Sequence, residues 1–227
     1  MLVLGLLGTA SHNAMQYVGL QFTTATNGLL LNTIVPIMVI VMSWLFFRQK
    51  LRAMQTLGVA ISLIGVVAIV IHGDWSVLTN LSLNRGDLWI LGGISFWAIY
   101  TLCLRWRPIE LHPIAFLFII GTIGLLGITP FYLTELSQGR HIESSLKAYG
   151  VLLYTGAFPS LVAFVFWNAG VKQIGPSKAS LFLHLMPVFG SILSIIFLGE
   201  SLFAFHFFGA ILIFIGIYFT TAKRFTC

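Results

Sequence analysis

Two apolar segments of the chain each carry a proline with a polar residue about one helical turn before it. Asn32 lies four residues before Pro36, and His184 lies three residues before Pro187. Proline lacks a backbone N–H and clashes with the carbonyl four residues earlier, so it frees backbone groups inside an apolar segment. Such a carbonyl can bind a substrate, or a neighbouring side chain can satisfy it. Because the arrangement occurs twice, we expect these four residues to line a substrate-binding cavity.

His184 and the polar residues near the amino terminus each leave two interpretations open. A histidine side chain can change charge near neutral pH, so His184 could couple transport to protons, or it is a satisfied core histidine. Asn13 and Tyr17 share one helix face at a spacing of four, and His12 and Gln16 share another. We expect Asn13 and Tyr17 to contact substrate. The alternative is a patch of hydrogen bonds between helices.

Aromatic residues in two further segments are candidates for the wall of the same cavity. Tyr100 and Trp167 are the principal ones, and Trp97, Tyr154, Ser160 and Asn168 accompany them. A tryptophan near the end of a span is also explained by the aromatic belt of a membrane interface, which applies to Trp167.

The composition excludes a water-soluble protein. Of 227 residues, 58% are hydrophobic and only 8% are charged, which is too little polar surface to cover a soluble domain. The net charge of +6 is not accompanied by a basic run with interleaved aromatic residues, so we expect no nucleic-acid partner. Two cysteines cannot form a disulfide framework. The chain is therefore predicted to be an all-α, polytopic helix bundle in a lipid bilayer.

Eight segments supply the roughly 20 apolar residues that a membrane helix needs. They are residues 2–21, 24–47, 53–72, 86–105, 112–134, 147–170, 176–198 and 203–222. Basic residues gather in alternate loops, and the positive-inside rule places that side in the cytoplasm, with both termini. These residues are Arg48, Lys50, Arg52, Arg105, Arg107, Lys172, Lys178, Lys223 and Arg224.

Part of the chain is repeated at an offset of 151 residues. Residues 19–68 align without a gap on residues 170–219, so that Pro36 falls on Pro187 and Gly58 on Gly209. The loop charges give the two proline helices opposite directions, which predicts inverted repeats. Five helices follow residue 85 and three precede residue 72, so the first repeat is expected to lack two helices through a misplaced start, a fragment or true loss.

With this order of motifs, the chain resembles the EamA family of the drug/metabolite transporter superfamily, which has two five-helix repeats. The resemblance is carried by Tyr17-Val18-Gly19-Leu20, Thr33-Ile34-Val35-Pro36, Gly175-Pro176-Ser177-Lys178-Ala179, Leu185-Met186-Pro187 and Leu198-Gly199-Glu200. It implies a partial first repeat at 1–72, an external linker at 73–85, a complete second repeat at 86–222 and a tail at 223–227. It also implies that the fifth helix of each repeat is peripheral and could support a homodimer. The acidic residue after the proline helix, Glu200, is replaced by Gln49 in the first copy.

The predicted function is secondary transport across a bacterial inner membrane by alternating access. The resemblance implies a small metabolite, an amino acid or a toxic compound as substrate. No phosphate-binding loop is visible, and the scattered acidic residues do not suggest catalysis or a metal site, so we expect no enzyme activity, cofactor or metal. An inactive or accessory remnant of such a transporter is the alternative, and a membrane enzyme is a weaker one.

Overall fold

Long apolar helices follow one another along the chain. The structure is a computed structural model that describes residues 1–79, 84–108, 110–139, 144–199 and 201–222. The predicted tail 223–227 and Glu200 lie outside the described residues. An amino-terminal helix, α1, consists of the consecutive stretches Leu2–Leu4, Gly5–Ser11 and His12–Leu20. The others are α2 Thr26–Phe47, α3 Ala53–Val70, α4 Arg85–Trp106, α5 Pro113–Ser137, α6 Leu146–Ile174, α7 Pro176–Phe197 and α8 Ala204–Thr221.

The prediction of an all-α membrane bundle is confirmed. In the part of the chain that the structure describes, α2 to α8 are the helices long and apolar enough to cross a membrane, seven against the eight predicted. Their limits agree with the predicted spans to within a few residues. The eighth prediction, 2–21, corresponds to α1, which is helical along its length but carries His12, Asn13 and Gln16. Polar side chains of this kind lower the apolarity on which a span is recognised.

The two proline helices are broken at equivalent places. In α2 the first stretch, Ala25–Asn32, ends before Thr33, and a second stretch, Val35–Phe47, begins with Pro36 in its first turn. In α7 a 3₁₀ stretch, Phe182–Leu185, separates Pro176–Leu181 from the stretch that holds Pro187. Proline is tolerated in the first turn of a helix because its missing N–H has no partner there. The chain therefore restarts the helix at each proline.

Other local irregularities also occur at the offset of 151. A π-helical stretch lies in α1 at Gly5–Ser11 and in α6 at Phe158–Val162. The helices that hold the prolines end in left-handed residues, Arg48 with φ 55° and Gly199 with φ 69°. Glycine adopts this conformation without strain, whereas arginine does so at a cost of roughly 1 kcal/mol. The turn geometry is thus common to both segments although the residue types differ.

Helices α3 and α8 pack against each other through small residues. A Cβ on Gly58 would meet the Gly216 carbonyl oxygen at 2.5 Å, and a Cβ on Gly65 would meet the Gly209 carbonyl oxygen at 2.6 Å. The helices are therefore antiparallel. At the offset of 151, Gly58 is equivalent to Gly209 and Gly65 to Gly216. The contact of Gly58 with Gly216 is therefore equivalent to the contact of Gly65 with Gly209. Small residues of this kind allow close approach of membrane helices. The small-residue faces of α3 and α8 are thus used inside one chain, and a homodimer supported by these helices stays a prediction.

Helix α1 packs against α4 and α5, whereas the equivalent surface of α6 is open. A Cβ on Gly5 would meet Ile123 at 2.7 Å, and one on Gly19 would meet Ile90 at 2.6 Å. Their equivalents, Gly156 and Gly170, have no heavy atom within 4 Å of the same position. Along α6 only two residues are buried. This surface therefore has no partner among the described residues.

Candidate functional site

The two broken helices meet at one buried contact. Nε2 of His184 donates to the Thr33 carbonyl oxygen at 3.3 Å, since a carbonyl can only accept. In the neutral imidazole Nδ1 is then an acceptor, and it lies 2.9 Å from the Ser62 hydroxyl on α3, whose single proton is shared between Nδ1 and the Val59 carbonyl oxygen 3.0 Å away. Thr33, Ser62 and His184 are each less than a tenth exposed. Thr33 and His184 are equivalent positions at the offset of 151, so this contact lies on the approximate twofold axis that relates the segments.

The His184 contact shows one partner for the backbone at the break in α2. The carbonyl of Thr33, which lies at the break between the two stretches of α2 and three residues before Pro36, accepts from a side chain of the other broken helix. Both ring nitrogens of His184 have partners within the protein. In this conformation the imidazole is packed as a core histidine would be, and its role in substrate binding or proton coupling stays a prediction.

An aromatic cluster lies between α1, α4 and α6. The indole of Trp97 is central, with ring centroids 4.7 Å from His12, 5.3 Å from Tyr100, 5.4 Å from Phe164 and 5.4 Å from Trp167. Tilted and edge-on pairs at these distances are favourable for aromatic rings. Nδ1 of His12 donates to the Gly93 carbonyl oxygen at 2.9 Å, which fixes this ring against α4. The cluster forms a packed aromatic layer inside the bundle.

Among the described residues, three buried polar atoms beside this layer have no hydrogen-bond partner. They are the Thr101 hydroxyl, the Trp167 indole nitrogen and the Asn168 amide nitrogen. The Tyr100 hydroxyl donates to the Asn168 Oδ1 atom at 2.8 Å, which orients the amide and leaves its nitrogen free. Buried polar atoms are nearly always paired, so an unpaired group in a folded protein needs an explanation. A group of donors at one place indicates a binding site.

A pocket of about 350 Å³ is lined in part by two of the residues that carry these atoms. Thr101 and Asn168 lie in its lining with Gln49, and so do three cations, Arg105, Arg107 and Lys172; the remaining lining residues are Phe47, Leu102, Leu104, Val171, Gly175 and Pro176. Its volume is at the lower end of the range for small-molecule sites. We call it the basic-end pocket, because it lies at the end of the bundle that carries Arg105, Arg107 and Lys172. The pocket combines buried hydrogen-bond donors with positive charge.

On α1 the inward face is the one that the sequence analysis did not favour. His12 contacts α4, and Nε2 of Gln16 donates to Oδ1 of Asn32 at 3.0 Å. Asn13 donates to the carbonyl of its own helix at Thr9, 2.9 Å away, and Tyr17 is 64% exposed. The hydrogen bonds of this helix to its neighbours match the interhelical patch given as the alternative. A substrate contact of Asn13 or Tyr17 stays a prediction.

The other predicted residues lie in two separate places. Asn32, Pro36, His184 and Pro187 belong to the meeting point of the broken helices, where Pro36 is buried and Pro187 half-buried. Tyr100 and Trp167 belong to the aromatic layer, where Tyr100 is fully buried and Trp167 half-buried. Substrate binding by these residues stays a prediction.

Sequence reasoning missed Thr101 and the three cations as site residues. A usable signal was present, because Thr101 precedes Arg105 by four residues and Asn168 precedes Lys172 by four. Residues four apart share a helix face, so each pair places a polar group and a cation on one line. The positive-inside rule already accounted for these cations, so their spacing from Thr101 and Asn168 was not used as evidence for a site.

The profile of the EamA-like transporter family matches residues 1–71 and 84–222 of the chain. The chain belongs to the EamA-like transporter family. Among its relatives are two uncharacterized transporters of Bacillus subtilis. YyaM is 29% identical over 219 residues, covering 95% of this chain and 70% of YyaM, and YetK is 26% identical over 206 residues, covering 91% and 62%. The chain thus spans roughly two thirds of the length of these EamA relatives.

A relative from another organism and a solved structure also match the chain. An uncharacterized transporter of Archaeoglobus fulgidus is 29% identical over 228 residues, covering 98% of this chain and 75% of that protein. A crystal structure matches with a TM-score of 0.78 at 16% identity, covering 98% of this chain and 76% of that chain. At this identity the match shows the fold alone. Together, the family and the apolar helices show a membrane protein of a transporter family.

Proposed function

We propose that this EamA-family protein is a secondary transporter that carries a small solute across a cell membrane by alternating access. The observation that carries the proposal is the contact of Thr33 with its own equivalent, His184, at the junction of two broken helices. Transporters built from inverted repeats place broken helices at such a junction and move one half against the other.

The packing of α3 and α8 supports the inverted arrangement. These antiparallel helices exchange equivalent contacts, Gly58 with Gly216 and Gly65 with Gly209. Two equivalent membrane helices that run in opposite directions require that their segments enter the membrane from opposite sides. In this proposal the structure represents a conformation in which the basic-end pocket is open toward the side that carries Arg105 and Lys172. Alternating access requires a second state in which this pocket closes and the opposite side opens.

Reconstitution tests the transport proposal directly. Proteoliposomes that contain the purified chain are compared with protein-free liposomes for uptake of radiolabelled amino acids, dicarboxylates and sugar phosphates, with and without a preset pH gradient. We expect saturable, time-dependent uptake of at least one class above the protein-free level. Uptake of no class by folded, correctly inserted protein would favour the remnant alternative.

The inverted arrangement makes a prediction about topology. Lys50 and Ser201 are equivalent positions just beyond the ends of α2 and α7. With Cys103 and Cys227 replaced by alanine, we expect Ser201→Cys to react with a membrane-impermeant maleimide in intact cells. Lys50→Cys should react only after permeabilisation, because the basic loops are cytoplasmic. Reaction of both cysteines in intact cells would show that the segments are parallel.

A further inference from the structure

We infer that the basic-end pocket binds a net negatively charged group, a carboxylate or a phosphate, and that such anions are the substrate class of this transporter. The second half of this inference rests on the proposed transport function. Binding of the anion is a separate claim, and it depends on the buried donors and on the cations in the lining of the pocket.

Two residues in the lining of the pocket, Thr101 and Asn168, carry buried hydrogen-bond donors that the described part of the protein leaves unused. The Thr101 hydroxyl is fully buried and unpaired, and the Asn168 amide nitrogen is unpaired in a side chain that is 4% exposed. Oδ1 of this amide is already occupied by the Tyr100 hydroxyl, so only its donor side is free. Donors that are desolvated and unpaired call for an acceptor, and anionic oxygens are the strongest acceptors.

Thr101 is unusual among the hydroxyl side chains of these helices. Many threonines and serines in the spans donate to a carbonyl of the preceding turn; examples are Ser95 to Leu91, Thr122 to Phe118, Thr129 to Leu125, Ser191 to Pro187 and Thr220 to Gly216. This local bond is the usual way to satisfy a hydroxyl inside a membrane helix. Among the described residues, Thr101 has the one fully buried hydroxyl without a hydrogen-bond partner. The free hydroxyl of Thr101 therefore marks a position where a ligand can supply the missing partner.

The lining of the pocket also carries positive charge that no carboxylate in the lining neutralises. Arg105, Arg107 and Lys172 line the pocket, and none of its lining residues is acidic. Arg105 lies 4.8 Å over the ring of Phe47, and Arg107 lies 5.9 Å from the centre of the Phe116 ring. These aromatic contacts position the guanidinium groups while leaving their N–H donors available. Arginine in such a setting suits bidentate recognition of carboxylate or phosphate.

Membrane orientation explains part of this positive charge but not the buried, unpaired donors of Thr101 and Asn168. The positive-inside rule accounts for cations in a loop wherever they stand. It does not account for two buried, unpaired donors in the same lining, nor for the i, i+4 spacing of Thr101 with Arg105 and of Asn168 with Lys172. Cations that attract an anion and buried donors that can bond to it therefore line the same pocket.

A binding titration tests the anion site without any transport. The intrinsic tryptophan fluorescence of purified wild-type protein is titrated with inorganic phosphate, succinate and citrate, and with succinamide as the uncharged counterpart of succinate. We expect saturable binding of at least one anion and none of succinamide. The Asn168→Asp variant keeps an acceptor for the Tyr100 hydroxyl but replaces the free donor with negative charge, so the dissociation constant of that anion should rise at least tenfold.

Two further variants separate the pocket from general attraction to a basic protein. Thr101→Val removes the hydroxyl at nearly constant shape and should weaken binding about tenfold, since a hydrogen bond to a charged group is lost. Lys50→Gln is the matched control, because it removes a cation at the same end of the bundle that does not line the pocket. An equal loss in Lys50→Gln and Asn168→Asp would overturn the site, and so would saturable binding of no anion.

Nanodiscs distinguish a soluble anion from a lipid headgroup. Anion binding that is equal in phosphatidylcholine nanodiscs and in nanodiscs with phosphatidylglycerol supports a soluble ligand. Abolition of binding by phosphatidylglycerol would assign the anionic group to a lipid and overturn the substrate half of the inference. Anion binding by a protein that transports nothing would leave the site standing and refute the proposed function, so the two failures are distinguishable.

Discussion

Gly216→Val is expected to destabilise the folded protein strongly, because it forces two closely packed helices apart. A Cβ at this position would meet the backbone carbonyl of Gly58 and would lie 2.6 Å from the backbone nitrogen of Ser62. Backbone atoms cannot move aside as a flexible side chain can, so α3 and α8 must separate. Overpacking of this kind costs about 3 kcal/mol. The apparent melting temperature should fall by roughly 10 °C for a chain of this size.

The measurement is thermal unfolding in detergent, followed by size-exclusion chromatography of the remaining monodisperse protein. Gly65→Val is the equivalent change in the first segment and should cost a similar amount, because its Cβ would lie 2.6 Å from the Gly209 carbonyl oxygen. Gly121→Val is the matched control, since nothing lies within 4 Å of a Cβ there. Wild-type stability of Gly216→Val would show that α3 and α8 do not pack through these glycines.

His184→Leu is expected to abolish transport while leaving membrane insertion intact. Leucine cannot donate to the Thr33 carbonyl or accept from Ser62, so the contact between the broken helices is lost. Hydrogen bonds between membrane helices contribute about 0.6 to 1.7 kcal/mol each. The loss of fold stability should therefore be modest. Uptake into proteoliposomes, with a substrate identified by the reconstitution screen, should fall at least tenfold.

Conservative variants show whether His184 acts by positioning the helices. His184→Gln retains an N–H that reaches toward Thr33 and should restore a measurable part of the uptake rate. Ser62→Ala removes the other partner and should have a smaller effect than His184→Leu, because the bond between the broken helices remains. If His184→Leu transported at the wild-type rate, the junction of the broken helices would not be needed for transport.

The helices and their order were predictable from the residues because each span is a local property. A bilayer requires about 20 consecutive apolar residues whose backbone groups are satisfied inside one helix. No distant contact is needed to recognise such a segment, and Pro36 and Pro187 locate their own breaks. The offset of 151 was likewise visible because a duplication preserves spacing.

The tertiary structure alone decided which polar groups are used and which are left free. The sequence marks His184 and Thr101 equally as polar residues in apolar helices. Packing gave both ring nitrogens of His184 a partner, and among the described residues it left the Thr101 hydroxyl with none. It also turned Gln16 inward and Tyr17 outward, a choice that the helical period permits either way. Satisfaction of a buried polar group depends on atoms brought together from distant parts of the chain, and residue spacing carries no record of them.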